Sequence, residues 1–180
     1  MRNFFWLALL GGCGGDPALE ARVAKLEAEV TELRGRVVSK REKDEEAVVG
    51  KDAIFQAERW VQGESSLEEG KATVLVFWEA WCPHCKREVP KLQASYDKLH
   101  EQGLNVIGVT QLTRGVDEPK LKAFIEENHL TFPIAKDDGT LGKHYAVSGI
   151  PAVAIVKDGK VVWRGNPANL NDSMLAATIQ

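Results

Sequence analysis

Residues 82 to 85 read Cys-Pro-His-Cys, directly after an apolar run, Val74-Leu75-Val76-Phe77-Trp78, and directly before a stretch of helical periodicity. Two cysteines two residues apart, at a strand-to-helix junction, are the arrangement a reversible dithiol/disulfide needs. The spacing brings two sulfurs within bonding distance across the first turn of a helix. The helix N-terminus adds unpaired N–H groups and the positive end of the dipole, which favour a thiolate at Cys82. Between the cysteines, Pro83 costs no helical hydrogen bond in the first turn, and His84 adds a donor or a positive charge near the sulfur. A stabilised thiolate stabilises the reduced form and makes the disulfide a better oxidant, each ~30 mV corresponding to ~1.4 kcal/mol. The pair could also be half of a zinc site, but two more ligands at metal-like spacing are absent. His100, His129 and His144 have no ligand spacing.

The rest of the chain must position this pair. At 180 residues there is room for one ordinary domain and an extra segment. A net charge of −3 and the lack of a basic block argue against a nucleic-acid partner. The start reads as a signal peptide over residues 1–12, with Arg2 as its basic residue and Phe4 to Leu10 as its apolar core. Leu10-Gly11-Gly12-Cys13 resembles the bacterial lipobox, in which the cysteine is lipidated and becomes the new N-terminus. Residues 13–18 are then a lipidated N-terminus and spacer. This places the chain in the bacterial cell envelope, anchored to a membrane through Cys13 and facing the periplasm. With Cys13 taken by lipid, Cys82 and Cys85 are the remaining thiols, in a compartment that permits disulfides.

A second pattern follows. Leu19, Val23, Leu26, Val30, Leu33 and Val37 alternate four and three apart, with Val at a and Leu at d. That combination favours a parallel two-stranded coiled coil, with a trimer as the other possibility. In a parallel pair, Arg22 would face Glu27 of the second chain and Glu29 would face Arg34, whereas Arg36 would face Arg41 unfavourably. The seam ends near Lys40, so residues 19–46 are predicted to be an oligomerisation helix followed by a solvated, charged helix end or linker. A single amphipathic helix lying on the domain is the competing expectation.

From about residue 47 to 180 the pattern is α/β. Strands are predicted at Thr73–Glu79, Leu104–Val109, Ala152–Val156 and Lys160–Arg164. A helix interrupted by Pro90 spans Lys86–Gln102, another runs from Asp117-Glu118-Pro119 to about Asn128, and a last one starts near Leu170. Asp158-Gly159 signals a hairpin turn. The order gives a parallel core with an antiparallel edge.

Phe77-Trp78-Glu79-Ala80-Trp81-Cys82-Pro83-His84-Cys85, continued by Lys86-Arg87-Glu88-Val89-Pro90, resembles the membrane-tethered TlpA/ResA branch of the thioredoxin superfamily. Gly149-Ile150-Pro151-Ala152 stands where that superfamily keeps its cis-proline loop, and the likeness covers roughly residues 50 to 180. It implies a thioredoxin-like fold, a central mixed β-sheet flanked by helices, here preceded by the coiled-coil helix. It also implies a thiol–disulfide oxidoreductase without a bound cofactor, acting on protein disulfides and dithiols and exchanging electrons with a redox partner. Cys82 would be the nucleophile, exposed at its sulfur, and Cys85 the resolving thiol. Glu88 would act in proton transfer, because the position of thioredoxin's buried aspartate is apolar Val76 here. Trp81 would form the rim around Cys82. A cis Pro151 would leave the Ile150 backbone free to pair with an extended substrate. The Pro-His dipeptide resembles that of oxidising DsbA proteins while the domain resembles a branch that often reduces, so oxidase, isomerase and reductase directions all stay open.

Two other chemistries compete. A lone peroxidatic cysteine in a Thr-containing motif, as in peroxiredoxins, is absent. A reduced CPHC could instead carry Cu(I) between two soft thiolates, as a copper chaperone. Titration of the reduced protein with Cu(I) separates this from the redox reading: an affinity no better than that of a free dithiol peptide removes the chaperone.

Overall fold

The computed structural model describes residues 16–180. Cys13 and the signal-peptide reading lie outside them. The chain forms two units, one ending at Lys40 and one comprising Arg41–Gln180. Helix α1 (Pro17–Glu46) is a continuous 30-residue element. Its seam residues Leu19, Val23, Leu26, Val30, Leu33 and Val37 are all exposed along the single chain.

The second unit is built on a six-stranded sheet. Its strands are β1 (Arg59–Gln62), β2 (Ala72–Phe77), β3 (Leu104–Thr110), β4 (Ile134–Lys136), β5 (Ala152–Lys157) and β6 (Lys160–Gly165), in the order β1-β4-β3-β2-β5-β6. Strands β2, β3 and β4 are mutually parallel, while β1, β5 and β6 each run antiparallel to their neighbours. Strand β2 lies in the middle, buried at every position, which is why it reads as an unbroken apolar run rather than an alternating one. Its side chains still alternate. Val74 and Val76 join one core with Cys85, Val89, Leu121 and Phe124, whereas Leu75 and Phe77 join the other with Val109, Leu141 and Tyr145. The Asp158-Gly159 hairpin has both central residues at positive φ, 51° and 71°, the hand that matches strand twist.

Helices α2 (Pro83–Leu99), α3 (Glu118–Glu127), α4 (Thr140–His144) and α5 (Asp172–Thr178) complete the unit. Two readings are corrected here. Helix α2 is not interrupted at Pro90 but continues through it to Leu99. Proline removes one helical N–H there, and burial of Val89 and Leu92 on either side holds the helix together. Of the two readings of Arg41 to Glu46, helix end or linker, the helix end holds, but it is not fully solvated. It is the last part of α1, and Glu45 is only 15% exposed, 2.9 Å from Arg41 and 3.5 Å from the buried Arg164. Arg164 in turn donates to the carbonyls of Tyr145 (2.8 Å), Ala146 (3.2 Å), Gly165 (3.1 Å) and Val153 (3.4 Å). A buried guanidinium thereby ties the end of α1, β5 and β6 to the segment leading into the Ile150–Pro151 loop.

Candidate active site

The turn between β2 and α2 places the two cysteines. Cys82 is the N-cap of α2 in an extended conformation, with Pro83 in the first turn, and its sulfur accepts the Cys85 backbone N–H at 3.4 Å. The Cys82 N–H donates to the Glu79 carbonyl (3.0 Å), and its own carbonyl accepts from Lys86 (3.1 Å). Backbone bonds on both sides thus fix the Cys82 sulfur over the helix N-terminus, where N–H groups and the dipole favour negative charge. Both cysteines are free thiols and both are buried. The expected exposure of Cys82 is therefore corrected: only 4% of the residue is accessible.

The cover comes from the loop after α4. Its Ile150–Pro151 peptide is cis. The Cys82 thiol points at the Ile150 carbonyl, 3.8 Å away. In this reduced form the Ile150 carbonyl, the backbone group expected to stand free, accepts from the Cys82 thiol.

Cys85 lies deeper, fully buried against Val89 and the sheet. Burial pushes its thiol far above the usual cysteine range; the hydrogen bond with Cys82 raises it further and the Glu79 backbone N–H opposes. The linkage has a definite sign. The unfolded thiol loses its proton above about pH 8.5 while the folded one keeps it, so stability falls as pH rises. The reduced protein is expected to lose up to about 1.4 kcal/mol per pH unit between pH 8.5 and 9.5 through this group, and the oxidised protein none. Denaturant midpoints of the two forms across that range check it.

The remaining predicted residues fall into two groups. Trp81 is half-buried at the rim: its indole N–H donates to Thr113 Oγ1 (3.0 Å) and the Arg114 guanidinium lies 3.9 Å from its ring centroid. His84 is exposed, and its Nδ1 is 2.8 Å from the Arg87 guanidinium. Arginine can only donate, so the ring nitrogen is the acceptor in this contact, and the Arg87 guanidinium brings a positive charge beside the CPHC turn. Glu88 is buried on α2, yet its carboxylate is held by Lys91 at 3.0 and 3.1 Å, with Arg87 at 3.9 Å.

Sequence reasoning passed over Glu79. Its carboxylate is buried, and its two oxygens accept the Gln111 and Thr113 backbone N–H groups at 2.9 and 3.2 Å. Its charge also contributes to the upward shift at Cys85. The available signal was an acid set between Trp78 and Ala80 inside an aromatic run. Trp78 is fully buried, stacked on Phe124 at 5.3 Å, and its indole N–H has no partner among the described residues. It needs Gly108: a Cβ there would lie 3.0 Å from the indole nitrogen and 3.1 Å from both Ile134 and Phe132. A cavity of about 340 Å³ opens beside the site, between Glu79, Gln111, Lys143 and Ile150. Among the described residues no group of three or more His, Cys, Asp or Glu is placed to hold a metal ion, and no helix is long and apolar enough to cross a membrane.

Comparison with known proteins follows the same outline. The sequence pattern of the AhpC/TSA family matches residues 49–164. Sporulation thiol-disulfide oxidoreductase A of Bacillus subtilis is 34% identical over 101 residues, which are 54% of this chain and 61% of that protein. A thiol-disulfide oxidoreductase ResA of Bacillus thuringiensis subsp. konkukian is 32% identical over 125 residues, 67% of this chain and 70% of its own length. The crystal structure of StoA from Bacillus subtilis superposes with a TM-score of 0.59 at 27% identity, over 73% of this chain and 99% of that one. The mixed sheet with its helices is thus a thioredoxin-like fold, and the chain belongs to the AhpC/TSA family.

Proposed function

We propose that the protein is a thiol–disulfide oxidoreductase that exchanges disulfides with protein partners through Cys82 and Cys85. One observation carries this: the Cys82 sulfur sits at the N-terminus of α2, under the Cys85 N–H and facing the carbonyl before a cis-proline. The names of its relatives agree with that chemistry.

In the reducing direction, the Cys82 thiolate attacks one sulfur of a partner disulfide. A Cys82–partner bond forms, the partner's own S–S bond breaks, and its second sulfur leaves as a thiolate that takes up a proton. Cys85 then gives up its proton and attacks Cys82 Sγ. The Cys82–Cys85 disulfide forms, the partner leaves fully reduced, and two electrons have passed from protein to partner. The oxidising direction is the same path reversed. The partner displaces the Cys82 thiol from the Ile150 carbonyl and pairs with that backbone as an extended strand. Trp81 supplies the apolar rim. Glu88 and Glu79 are the buried carboxylates beside the dithiol, and Glu88 handles the Cys85 proton once Lys91 swings away. Dithiol-driven reduction of a protein disulfide tests the whole reading: a Cys82→Ser protein that keeps full activity refutes it.

The envelope setting belongs to the same proposal. Residues 1–12 are a signal peptide, Cys13 carries the lipid, and residues 19–40 pair in parallel with a second copy. Parallel pairing matches the Arg22–Glu27 and Glu29–Arg34 charges and puts both lipids at one membrane surface. Val and Leu of the seam, exposed in the single chain, are then covered by the partner copy. The chain is expected to sediment as a dimer, and Val23→Glu with Val30→Glu to convert it to a monomer without loss of exchange on a small disulfide. A parent chain that sediments as a monomer contradicts the pairing.

A further inference from the structure

The loop after β3 is bound to the active-site turn more firmly than a surface loop needs. Glu79, three residues before Cys82, accepts the Gln111 and Thr113 N–H groups. Trp81, next to Cys82, donates to the Thr113 hydroxyl. Leu112 between these anchors and Arg114 just after them both take positive φ, 59° and 53°, a conformation that costs non-glycine residues on the order of 1 kcal/mol each. The outcome is one placement: the exposed Arg114 guanidinium sits over the Trp81 ring, its carbon 3.9 Å from the ring centroid.

A stacked guanidinium keeps its N–H edge turned outward, in the fork that matches a carboxylate. The charges around it make that fork available. Glu79 is buried against backbone, Glu88 is taken by Lys91, and Glu118 is taken by Arg59 and Lys122. Asp117 caps α3 and faces Lys120. Among the described residues neither Arg114 nor Lys86 has an acid within 4.0 Å, and Arg87, with Glu88 at 3.9 Å, adds a third cation to the CPHC turn. This cationic rim stands on a chain whose net charge is −3, so it is local to the site.

We propose that Arg114 selects partners that carry an acidic residue beside their reactive cysteine, and that Glu79 is the positioning residue that holds Arg114 in place. The inference rests on the dithiol-exchange reading. It gives that exchange a preferred substrate class, acidic cysteine-containing segments, which dock across Trp81 as Cys82 is attacked.

The test uses the full reduced chain and three substrates: 2-hydroxyethyl disulfide, and two peptides of equal length with one disulfide flanked by Asp or by Lys. At low salt kcat/KM for the Asp peptide is expected to exceed that for the Lys peptide about tenfold, mainly through KM, and the ratio to shrink severalfold in about 0.5 M salt. Arg114→Glu inverts the ratio. Glu79→Gln puts an NH₂ against one of the two backbone N–H groups, frees the loop and brings the ratio towards one. A purely structural role would lower turnover of all three substrates together and leave the ratio alone. Exchange with 2-hydroxyethyl disulfide at a peptide ratio of one, or a ratio unmoved by Arg114→Glu, overturns the selectivity and leaves the exchange reading standing. No exchange with any of the three overturns both.

Discussion

Cys82→Ser is expected to lower disulfide exchange by on the order of 10³-fold or more, while Cys85→Ser keeps the first half of the reaction and stalls there. The asymmetry follows from position. Cys82 sits at the helix N-terminus with a backbone N–H on its sulfur, and that N–H survives when Cys85 becomes serine. Cys85 is fully buried, and burial holds its proton on, so it cannot replace Cys82 as the attacking group. In Cys85→Ser the mixed disulfide at Cys82 has nothing to resolve it and accumulates. Mass spectrometry after mixing with a disulfide peptide reads this directly: an adduct on Cys85→Ser at Cys82 and none on Cys82→Ser. The reverse pattern would exchange the roles of the two cysteines.

The second large effect concerns stability. Arg164→Met is expected to destabilise the folded protein by about 3–5 kcal/mol. Methionine fills much of the volume but leaves the carbonyls of Tyr145, Ala146, Val153 and Gly165 without their donor, and Glu45 without its partner. Burial lowers the pKa of the guanidinium and Glu45 opposes that shift, so Glu45 is part of what keeps this buried cation acceptable. Glu45→Gln should accordingly cost less than Arg164→Met, since Arg164 keeps its four carbonyls. Chemical denaturation of the two variants checks both the size and the order. Because the same guanidinium fixes the segment before Ile150, Arg164→Met should also loosen the cover over Cys82 and speed its alkylation in the native state. Unchanged stability would mean that solvent or a rearranged side chain satisfies those carbonyls.

The sequence was informative where pattern is local. The apolar run of β2, the Cys-Pro-His-Cys turn and the Asp158-Gly159 hairpin each announce themselves within a few residues, and their elements stand where the spacing placed them. Strands β1 and β4 were not legible. They are four and three residues long, and β1 is half-exposed with a bulge between Trp60 and Gln62, so neither carries a full alternation. Helix α4, five residues long, is below the length at which periodicity speaks. At the site, the residue types were readable but their partners were not. Helical spacing placed Glu88 near Cys85, but the hold of Lys91 on it is a matter of side-chain direction. The role of Glu79 depends on β3 ending alongside β2, a contact between residues more than thirty positions apart in the chain. The burial of Cys82 likewise depends on the Ile150 loop, 68 positions away.

The most direct measurement is a redox titration of the full chain in dithiol/disulfide buffers, reading the Cys82–Cys85 couple by alkylation and mass. The dithiol mechanism predicts a reversible two-electron transition between free thiols and one intramolecular disulfide. Its midpoint is expected anywhere from near −120 mV for an oxidant, through near −180 mV for an isomerase, to near or below about −270 mV for a reductant. A pair that forms no Cys82–Cys85 disulfide in that range, or whose cysteines titrate independently of each other, would contradict it.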